Sequence, residues 1–358
     1  MLMTFHRTTP ILAVAWAVLG AVQPARAQWL LHSVDSTIEF RGLSAVNASV
    51  VWASGTRGRI ARSTDGGATW RIDTVPGADT LDLRDIQAMS ATRAWTMSSG
   101  EAEKGQAKIF GRTDGTTWVE QFAEKDSGGF FDSMAAWDNE HAITIGDPIK
   151  HQLYVLVTSD GHTWTRVPTT DAPPTIPGEG SFAASGTCVV VNGSSNAWIV
   201  TGGAATARVW RTTDRGKTWK VADTPVHAGN SSSGIFSVAF VDATHGVVVG
   251  GDYTKPKGLF DNVAITDDGG ATWRKPRGTL PQGFMSAVAY IPGTSGRSLV
   301  AVGLGGTARS DDGGESWTMI DAVPYNSVAF ASPTAGWAVG PRGRIARWNP
   351  SASGTSRP

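Results

Sequence analysis

The amino-acid sequence predicts an all-β protein, a single seven-bladed β-propeller of four-stranded antiparallel blades. Three observations support this fold. A short turn sequence that ends in Trp recurs at intervals of 44 to 54 residues, which is the length of one blade. A strand-like segment, often with an Ala-Trp or Gly-Trp pair, precedes each turn. The composition, with 43 Gly, 15 Trp and 17% charged residues, is typical of turn-rich β structure and not of helical bundles.

The recurring turn has the form Ser/Thr-x-Asp-Gly-Gly-x-Thr-Trp, as in residues 63–70. Its aspartate can accept hydrogen bonds from nearby backbone N–H groups, and its glycines adopt backbone angles that other residues avoid. We expect the Trp to begin the next strand and to fill the space between neighbouring sheets. Six near-identical copies suit a structural repeat better than one active site. The six pairs are Asp65 and Trp70, Asp114 and Trp118, Asp160 and Trp164, Asp214 and Trp219, Asp268 and Trp273, and Asp312 and Trp317.

The number of strands predicts how the ring closes. Seven sets of three strands can be placed between residues 37 and 348, but only six final strands follow a repeated turn. Residues 28–34, which begin Gln-Trp-Leu-Leu, resemble those final strands. We therefore expect the mature N-terminal strand to complete the last blade, which protects the sheet edges. The predicted propeller covers residues 28–350, and we expect residues 351–358 to form a disordered tail.

Residues 1–27 have the pattern of an export signal. Arg7 precedes the apolar run Ile11–Val22, and Ala25-Arg26-Ala27 offers a small-x-small cleavage sequence. The run is shorter than the roughly 20 apolar residues of a membrane span, so an uncleaved anchor is the lesser alternative. We expect a periplasmic or secreted protein that does not span a membrane after cleavage. We also expect it to be a monomer.

Charge and composition argue against several classes of protein. Without residues 1–27 the chain carries a formal charge of −2, which argues against nucleic acid as a partner. Cys188 is the only cysteine, so there is neither an internal disulfide nor a multi-thiolate metal site. The histidines lack metal-ligand spacing, and no Gly-rich phosphate loop or Rossmann-type fingerprint occurs. We expect no metal and no cofactor, although a quinone-type cofactor in the channel stays open.

These repeated turns resemble the Asp-box, or BNR-type, repeats of sialidases and sortilin-like receptors. The seven-fold count and the strands that contain Ala197-Trp198 or Gly336-Trp337 are most similar to the photosystem II assembly and stability factor family and its non-photosynthetic bacterial relatives. The resemblance covers residues 28–350. It implies a propeller that binds a protein partner through an arginine patch. It says little about activity, because the repeated part is scaffold.

A ligand is expected on the rim opposite the repeated turns. On that rim the loops at 98–107, 168–180, 224–234 and 250–262 are long and irregular, as functional loops on a rigid scaffold often are. A protein partner or a glycan could bind there. The binding candidates are Arg57, Lys150, His151, Tyr253 and Arg342.

The first and last blades are neighbours in a closed ring, so Arg57 and Arg342 can belong to one basic docking stripe. The alternative is an exposed strand face on which arginine stems cover apolar surface.

Two functions stay open at this point. The preferred one is an exported, non-enzymatic binding or assembly scaffold for a protein partner or a membrane-protein intermediate. The alternative is a glycoside hydrolase or sialidase-like enzyme with an acidic site at the channel mouth. Its catalytic carboxylates would be Asp147, Glu179 and Asp252. The absence of an Arg-Ile-Pro motif and the count of seven blades, not six, argue against a sialidase.

Overall fold

The computed structural model describes residues 1, 28–113 and 115–352 and shows an all-β, seven-bladed β-propeller. The strands form seven separate antiparallel sheets. The first strand of each blade contacts the first strands of both neighbouring blades, so these seven inner strands line a central channel. The fold class predicted from the repeats is therefore confirmed. Predictions for residues 2–27, for Asp114 and for residues 353–358 lie outside the described part of the chain.

The strands are numbered β1 to β27 along the chain. Blade one contains β2 (Phe40–Ala45), β3 (Val51–Gly55), β4 (Arg59–Ser63) and β5 (Arg71–Thr74). Blade two contains β6 (Asp82–Ala88), β7 (Ala94–Ser99), β8 (Lys108–Arg112) and β9 (Val119–Ala123). Blade three contains β10 (Phe131–Ala136), β11 (Ala142–Ile149), β12 (Gln152–Thr158) and β13 (Thr165–Arg166). Blade four contains β14 (Val189–Asn192), β15 (Asn196–Val200), β16 (Arg208–Thr212) and β17 (Lys220–Asp223).

The last three blades continue the same order. Blade five contains β18 (Ser233–Phe240), β19 (Gly246–Asp252) and β20 (Val263–Thr266). Blade six contains β21 (Ala287–Tyr290), β22 (Leu299–Gly303), β23 (Gly306–Ser310) and β24 (Thr318–Asp321). Blade seven contains β25 (Ser327–Ser332), β26 (Ala335–Gly340), β27 (Arg344–Trp348) and β1 (Trp29–Ser33). The helical elements of the described residues are two short 3₁₀ helices, Ala102–Lys104 and Pro350–Ala352, and none is long and apolar enough to cross a membrane.

The N-terminal strand closes the ring, as the strand count predicted. β1 pairs antiparallel with β27, from Trp29 opposite Trp348 to Ser33 opposite Arg344. Trp29 is only 2% exposed, and its ring lies 5.0 Å from that of Trp348. Its indole N–H donates to Thr307 Oγ1 of blade six at 3.1 Å. β1 therefore pairs with the last strand of the chain inside blade seven, and Trp29 also bonds blade seven to blade six.

Blade five departs from the four-stranded pattern. The fourth strand expected to begin at Trp273 is reduced to one bridge between Ile265 and Arg274, with two backbone hydrogen bonds of 3.0 Å. Pro276 follows two residues later. Because proline has no N–H to donate to the ladder, the pairing ends there.

The repeated turns are closed by their own side chains. In the first, Asp65 Oδ1 accepts the backbone N–H of Thr69 at 2.9 Å, and Oδ2 accepts the Thr69 hydroxyl at 2.6 Å. These bonds, the Thr69 hydroxyl first, lower the pKa of Asp65 to about 2. Backbone N–H bonds of 2.7–2.9 Å to the Asp carboxylate recur at Asp160, Asp214, Asp268 and Asp312.

Tryptophans of the second strands join neighbouring blades through these turns. Trp95 donates its indole N–H to the Gly161 carbonyl at 3.1 Å, and Trp198 donates to the Gly269 carbonyl at 2.8 Å. In both pairs the glycine belongs to the repeated turn of the next blade. The repeat therefore holds adjacent sheets together by a directional bond as well as by apolar packing.

Candidate functional site

A short segment of blade four crosses the central channel. The sequence places the inner strand of this blade from about residue 181, but β14 begins only at Val189. Residues 181–187, Ser-Phe-Ala-Ala-Ser-Gly-Thr, form hydrogen bonds and close contacts with five other blades. We name them the axial segment. Most of its side chains are small, which suits a chain that passes between seven converging strands.

Two arginines bind the axial segment from one side. Arg84 of blade two donates to the Ala183 carbonyl at 2.8 Å, and Arg41 of blade one donates to the Ala184 carbonyl at 3.4 Å. Burial lowers the pKa of Arg41, and the charge of Arg84 lowers it further. Both guanidinium groups are thus held in the channel by backbone carbonyl oxygens as well as by acidic side chains.

Ser185 binds the axial segment to the next two blades of the ring, which also lie across the channel from blade four. Its hydroxyl donates to the Ser286 carbonyl of blade six at 2.8 Å. Its own carbonyl accepts the Ser327 hydroxyl of blade seven at 3.1 Å. A segment bound to blades one, two, six and seven must pass across the channel axis.

Gly186 is the point of closest packing. Its φ is +71°, and a Cβ there would lie 2.3 Å from Oδ1 of Asp85. The Asp85 carboxyl is itself fixed, because it accepts the backbone N–H groups of Ile86 and Met134, both at 2.7 Å. Burial raises the pKa of Asp85 to about 8 despite these bonds. The position requires glycine both for its backbone angle and for space.

The axial segment separates the channel into cavities at its two ends. At the rim of the variable loops lie two cavities that share Arg84, Phe182 and Ala183, one of about 330 Å³ and one of about 350 Å³. The opposite end holds a cavity of about 390 Å³ with mainly Val, Ala and Phe walls. Gly186 and Thr187 line this lower cavity.

The first mouth cavity, named the aromatic cavity, has a wall of stacked rings. Phe182 and Phe236 lie parallel with their ring centroids 3.9 Å apart. Phe284 and Tyr253 meet Phe236 edge-on at 4.6 and 6.1 Å. Tyr253, one of the sequence-predicted binding residues, is 47% exposed and lines this cavity. Such a surface offers apolar contact with little loss of side-chain entropy.

The second mouth cavity, named the acidic cavity, contains two neighbouring carboxyls. Asp147, predicted from the sequence, shares it with Asp132. Burial raises the pKa of Asp132 well above its ordinary value, and the charge of Asp147 raises it further, while Arg84 opposes both effects. Burial raises the pKa of Asp147 to about 6, although the backbone N–H of Ser181 binds its carboxylate. The two groups do not ionise independently.

Glu179 does not line the acidic cavity and is occupied elsewhere. Its buried carboxylate forms an ion pair with Arg208 and accepts the Trp210 indole N–H at 2.9 Å and the Thr201 hydroxyl at 2.7 Å. Burial alone would raise the pKa of Glu179, but the bonds from Arg208 and its neighbours outweigh it and lower that pKa. This carboxylate anchors the loop before the axial segment, since it also accepts the backbone N–H of Ile176 at 2.9 Å.

Asp252 is likewise held by its own loop and does not line the acidic cavity. Its Oδ1 accepts the hydroxyls of Ser232 and Thr254 at 2.8 and 2.6 Å, and Lys255 lies 3.5 Å from Oδ2. Burial raises its pKa, but the bond from Thr254 and then that from Ser232 outweigh this and lower the pKa to about 2. Of the three carboxylates nominated for hydrolysis, only Asp147 lines a mouth cavity.

The other sequence-predicted binding residues occupy tight turns on the same rim. Arg57, Lys150, His151 and Arg342 are exposed and have φ values between 54° and 62°. Two-residue hairpins of this kind require positive φ at both central positions. Arg57 donates to the hydroxyl of Thr37, which precedes β2. The structure thus places these four side chains outside the two mouth cavities, at the tips of hairpins.

Sequence reasoning missed a ring of residues at the channel mouth. In blades one, two, three and five, the extra residue of a β-bulge in the inner strand faces the mouth cavities. A bulge turns a side chain out of the normal alternation. In blades six and seven the equivalent residue directly precedes the inner strand. We name these six residues the mouth ring: Arg41, Arg84, Asp132, Phe236, Ser286 and Asn326.

A sequence signal for the mouth ring exists in the repeat itself. Each ring residue stands between an apolar residue and Gly, Ala, Ser or Asp, as in Phe40-Arg41-Gly42 and Phe131-Asp132-Ser133. The flanking positions are similar from blade to blade, whereas the ring position is Arg, Arg, Asp, Phe, Ser and Asn in turn. A position that varies inside a repeated scaffold is the place where recognition can be specified.

Comparison with known proteins gives structural neighbours only. No family model matches the chain, and no curated protein matches it. A solved structure described as YCF48 bound to D1 peptide is similar with a TM-score of 0.62 and 17% identity, covering 91% of this chain and 99% of that one. YCF48 from Cyanidioschyzon merolae is similar with a TM-score of 0.64 and 19% identity, covering 91% and 100%.

A chain in a crystal structure of the Mitotic Checkpoint Complex is similar with a TM-score of 0.58 and 10% identity, covering 95% of this chain and 98% of that one. At these identities the likeness establishes the propeller fold and no more. Two of the three neighbours nevertheless share one name, YCF48, and one of those two was solved with a peptide bound.

Proposed function

We propose that this protein is an exported, non-enzymatic propeller that binds a segment of a partner protein at its channel mouth. The observation that carries the proposal is the mouth ring. Six blades each present one side chain to two adjoining cavities, these side chains are of five different types, and the axial segment forms the floor of both cavities. A closed, chemically varied bowl is suited to holding a ligand and not to passing one through the channel.

The aromatic cavity favours a peptide over a glycan. Its wall combines four aromatic rings with exposed Leu304, and its charged groups are the paired ions Arg41–Glu39 at 2.7 Å and Arg84. Aromatic anchors beside arginine are typical of the energetically important centres of protein interfaces. The fold-level likeness to a YCF48 structure that holds a peptide points in the same direction.

Hydrolysis of glycosides receives no comparable support. Glu179 and Asp252 are committed to loop-anchoring bonds, and both have a pKa below the ordinary value. A general acid in a glycosidase needs the opposite, a carboxyl whose pKa is raised. Of the three nominated carboxyls only Asp147 has a raised pKa, and neither Glu179 nor Asp252 lines the acidic cavity as its second carboxylate. The proposal therefore assigns Glu179 and Asp252 to the support of the mouth and not to chemistry.

Three further parts of the proposal rest on the sequence. Residues 1–27 direct export, so the working compartment is periplasmic or extracellular. The repeated turns are Asp-box repeats, and the hydrogen bonds of their Asp side chains stabilise the scaffold. Arg57 and Arg342, at hairpin tips of adjacent blades, extend the docking surface from the mouth across the rim.

Affinity capture from the native envelope fraction tests the proposal. The bait is the mature chain, and the variants are Tyr253→Ala at the mouth, Arg57→Ala/Arg342→Ala at the rim and Val119→Ala as a control. Val119 is 57% exposed on the outer strand of blade two. We expect one partner that is reduced by the mouth variant and the rim variant and unchanged by the control. A partner retained equally by all variants would refute the assignment of the mouth.

A further inference from the structure

One oxygen of the Asp132 carboxyl in the acidic cavity has no hydrogen-bond partner among the described residues. The residue is 1% exposed, and no described residue donates a hydrogen bond to its Oδ2. Buried polar atoms are nearly always satisfied, because desolvation without a hydrogen bond is costly. An orphaned carboxyl oxygen on the wall of a cavity therefore marks a place where a hydrogen-bonding ligand can bind.

The nearest cation is already engaged. Arg84 also lines the acidic cavity, but its Nε lies 2.6 Å from Asp82 Oδ2 and its Nη1 donates to the Ala183 carbonyl. Its charge acts on Asp132 at longer range. Arg84 is thus paired with Asp82, and no described residue forms an ion pair with Asp132 or Asp147.

The two carboxyls do not ionise independently. Burial raises the pKa of both, that of Asp147 to about 6, and the charge of Asp147 raises that of Asp132 further. A cation bound between the two carboxyls would offset their repulsion. Cys188, whose buried thiol lies near Asp132 and has a raised pKa, is neutral and adds no charge.

Glycine keeps the Asp147 carboxylate accessible. Gly180 lies against Asp147, and a Cβ at Gly180 would be 2.5 Å from Asp147 Oδ1. Gly178, Gly202 and Gly203 line the same cavity of about 350 Å³. Any side chain at position 180 would cover the carboxylate, so the glycine leaves an open approach to it.

The donor set argues against a metal ion. The described residues contain no group of three or more His, Cys, Asp or Glu side chains arranged to hold one. Ca²⁺ takes six or more oxygen ligands, and two carboxyls are a poor start for such a shell. An ammonium or guanidinium group, which brings its own N–H donors, needs only the two carboxyls.

We propose that the acidic cavity is a binding subsite for one cationic side chain, a lysine ammonium or an arginine guanidinium, on the partner segment. The subsite rests on the proposed function and refines it. The partner segment would place apolar residues on the Phe182–Phe236 wall and a basic residue on Asp132 and Asp147. Both cavities share Arg84 and Phe182, so one short segment can reach both.

The test uses the mature chain and three small probes, the N-acetyl N-methylamides of lysine, arginine and norleucine. Binding is measured by chemical-shift titration. We expect one of the basic probes to bind about tenfold or more tightly than norleucine, as charge-assisted bonds to a buried carboxylate imply. Asp147→Asn should lower that affinity about tenfold, whereas Asp171→Asn, which changes an exposed acid on the same rim, should not.

Gly180→Ala is the second variant. It leaves both carboxyls in place and covers Asp147, so it should also lower the affinity for the basic probe. If Asp147→Asn lowers the thermal midpoint of unfolding sharply, Gly180→Ala is the variant that shows whether binding depends on access to Asp147. Equal binding of the basic and norleucine probes, or equal effects of Asp147→Asn and Asp171→Asn, would overturn the subsite. So would binding of Ca²⁺ or Mg²⁺ that depends on Asp147 in place of any binding of the amines.

The subsite and the proposed function can fail separately. If affinity capture yields a partner that depends on Tyr253 but the probes do not distinguish charge, the mouth binds a partner and the cationic subsite is wrong. If the basic probe binds as expected but capture yields no partner that depends on Tyr253, the subsite is real and the proposed function is wrong.

Discussion

The substitution Gly186→Ala tests the packing of the axial segment against blade two. Gly186 has a φ of +71°, and a methyl group there would lie 2.3 Å from Asp85 Oδ1 and 2.4 Å from its Cγ. The carboxyl cannot move aside easily, because backbone N–H groups of β6 and β10 hold both of its oxygens. The substitution therefore combines backbone strain with a collision in a buried site.

The expected loss of stability has two parts. Placing a residue other than glycine in the left-handed region costs roughly 1–2 kcal/mol. Forcing one extra methyl group into a packed core costs typically 1–3 kcal/mol more. We expect Gly186→Ala to lower the free energy of unfolding by about 2–5 kcal/mol.

Gly77→Ala supplies the matched control. Its φ is +76°, but a Cβ there would meet no atom within 4 Å. It should cost only the backbone part, roughly 1–2 kcal/mol. Urea denaturation followed by tryptophan fluorescence measures both variants, with the slope m checked for a two-state transition. Equal losses for the two variants would refute the packing of the axial segment against Asp85.

Three further predictions concern closure, pH and the contact between blades. Trp29→Ala should lower the free energy of unfolding by about 3–5 kcal/mol. Leu31 lies in the same strand and is 56% exposed, so Leu31→Ala should change that free energy by no more than roughly 0.5 kcal/mol. Equal effects of the two substitutions in urea denaturation would contradict closure by β1. Asp85 has its pKa raised from 3.8 to about 8, so its contribution to stability is complete below pH 3.8 and is lost as the pH rises through about 8. Asp85→Asn cannot ionise, so its stability relative to wild type should improve between pH 5 and 8 by at most about 1.4 kcal/mol per pH unit, and a pH-independent difference would contradict the raised pKa. The Trp198 ring stacks 3.7 Å from that of Phe240, and Trp198→Phe keeps an aromatic ring there but removes the hydrogen bond to the Gly269 carbonyl. Urea denaturation should show a loss of about 1–2 kcal/mol in the free energy of unfolding. An unchanged urea midpoint would contradict a role for that hydrogen bond.

The fold was predictable because the signal is repeated. Each turn that contains an Asp and a Trp indicates the same local structure, so six weak patterns reinforce one another. The closure by Trp29 followed from counting strands against turns. Blade five was predicted less well. The repeat that ends in Trp273 predicts a full fourth strand, but Pro276 has no N–H to donate to the ladder, so the pairing ends early.

The site was predictable only in part. The long loops located the functional rim, and Tyr253 and Asp147 line its cavities. Asp132 and Arg84 were missed because a bulge, not strict alternation, turns them inward. The axial segment was missed because its partners are carbonyls and hydroxyls of distant blades, and contacts over such sequence separations leave no local pattern.

Photo-crosslinking at the mouth tests the central claim most directly. A benzophenone amino acid replaces Tyr253 in one variant and Val119, which is also exposed, in another, and both are expressed in the native cells. We expect a discrete adduct from position 253 only, with the crosslinks confined to one short partner segment that contains a basic residue. The same adducts from both positions, or none from position 253, would contradict it.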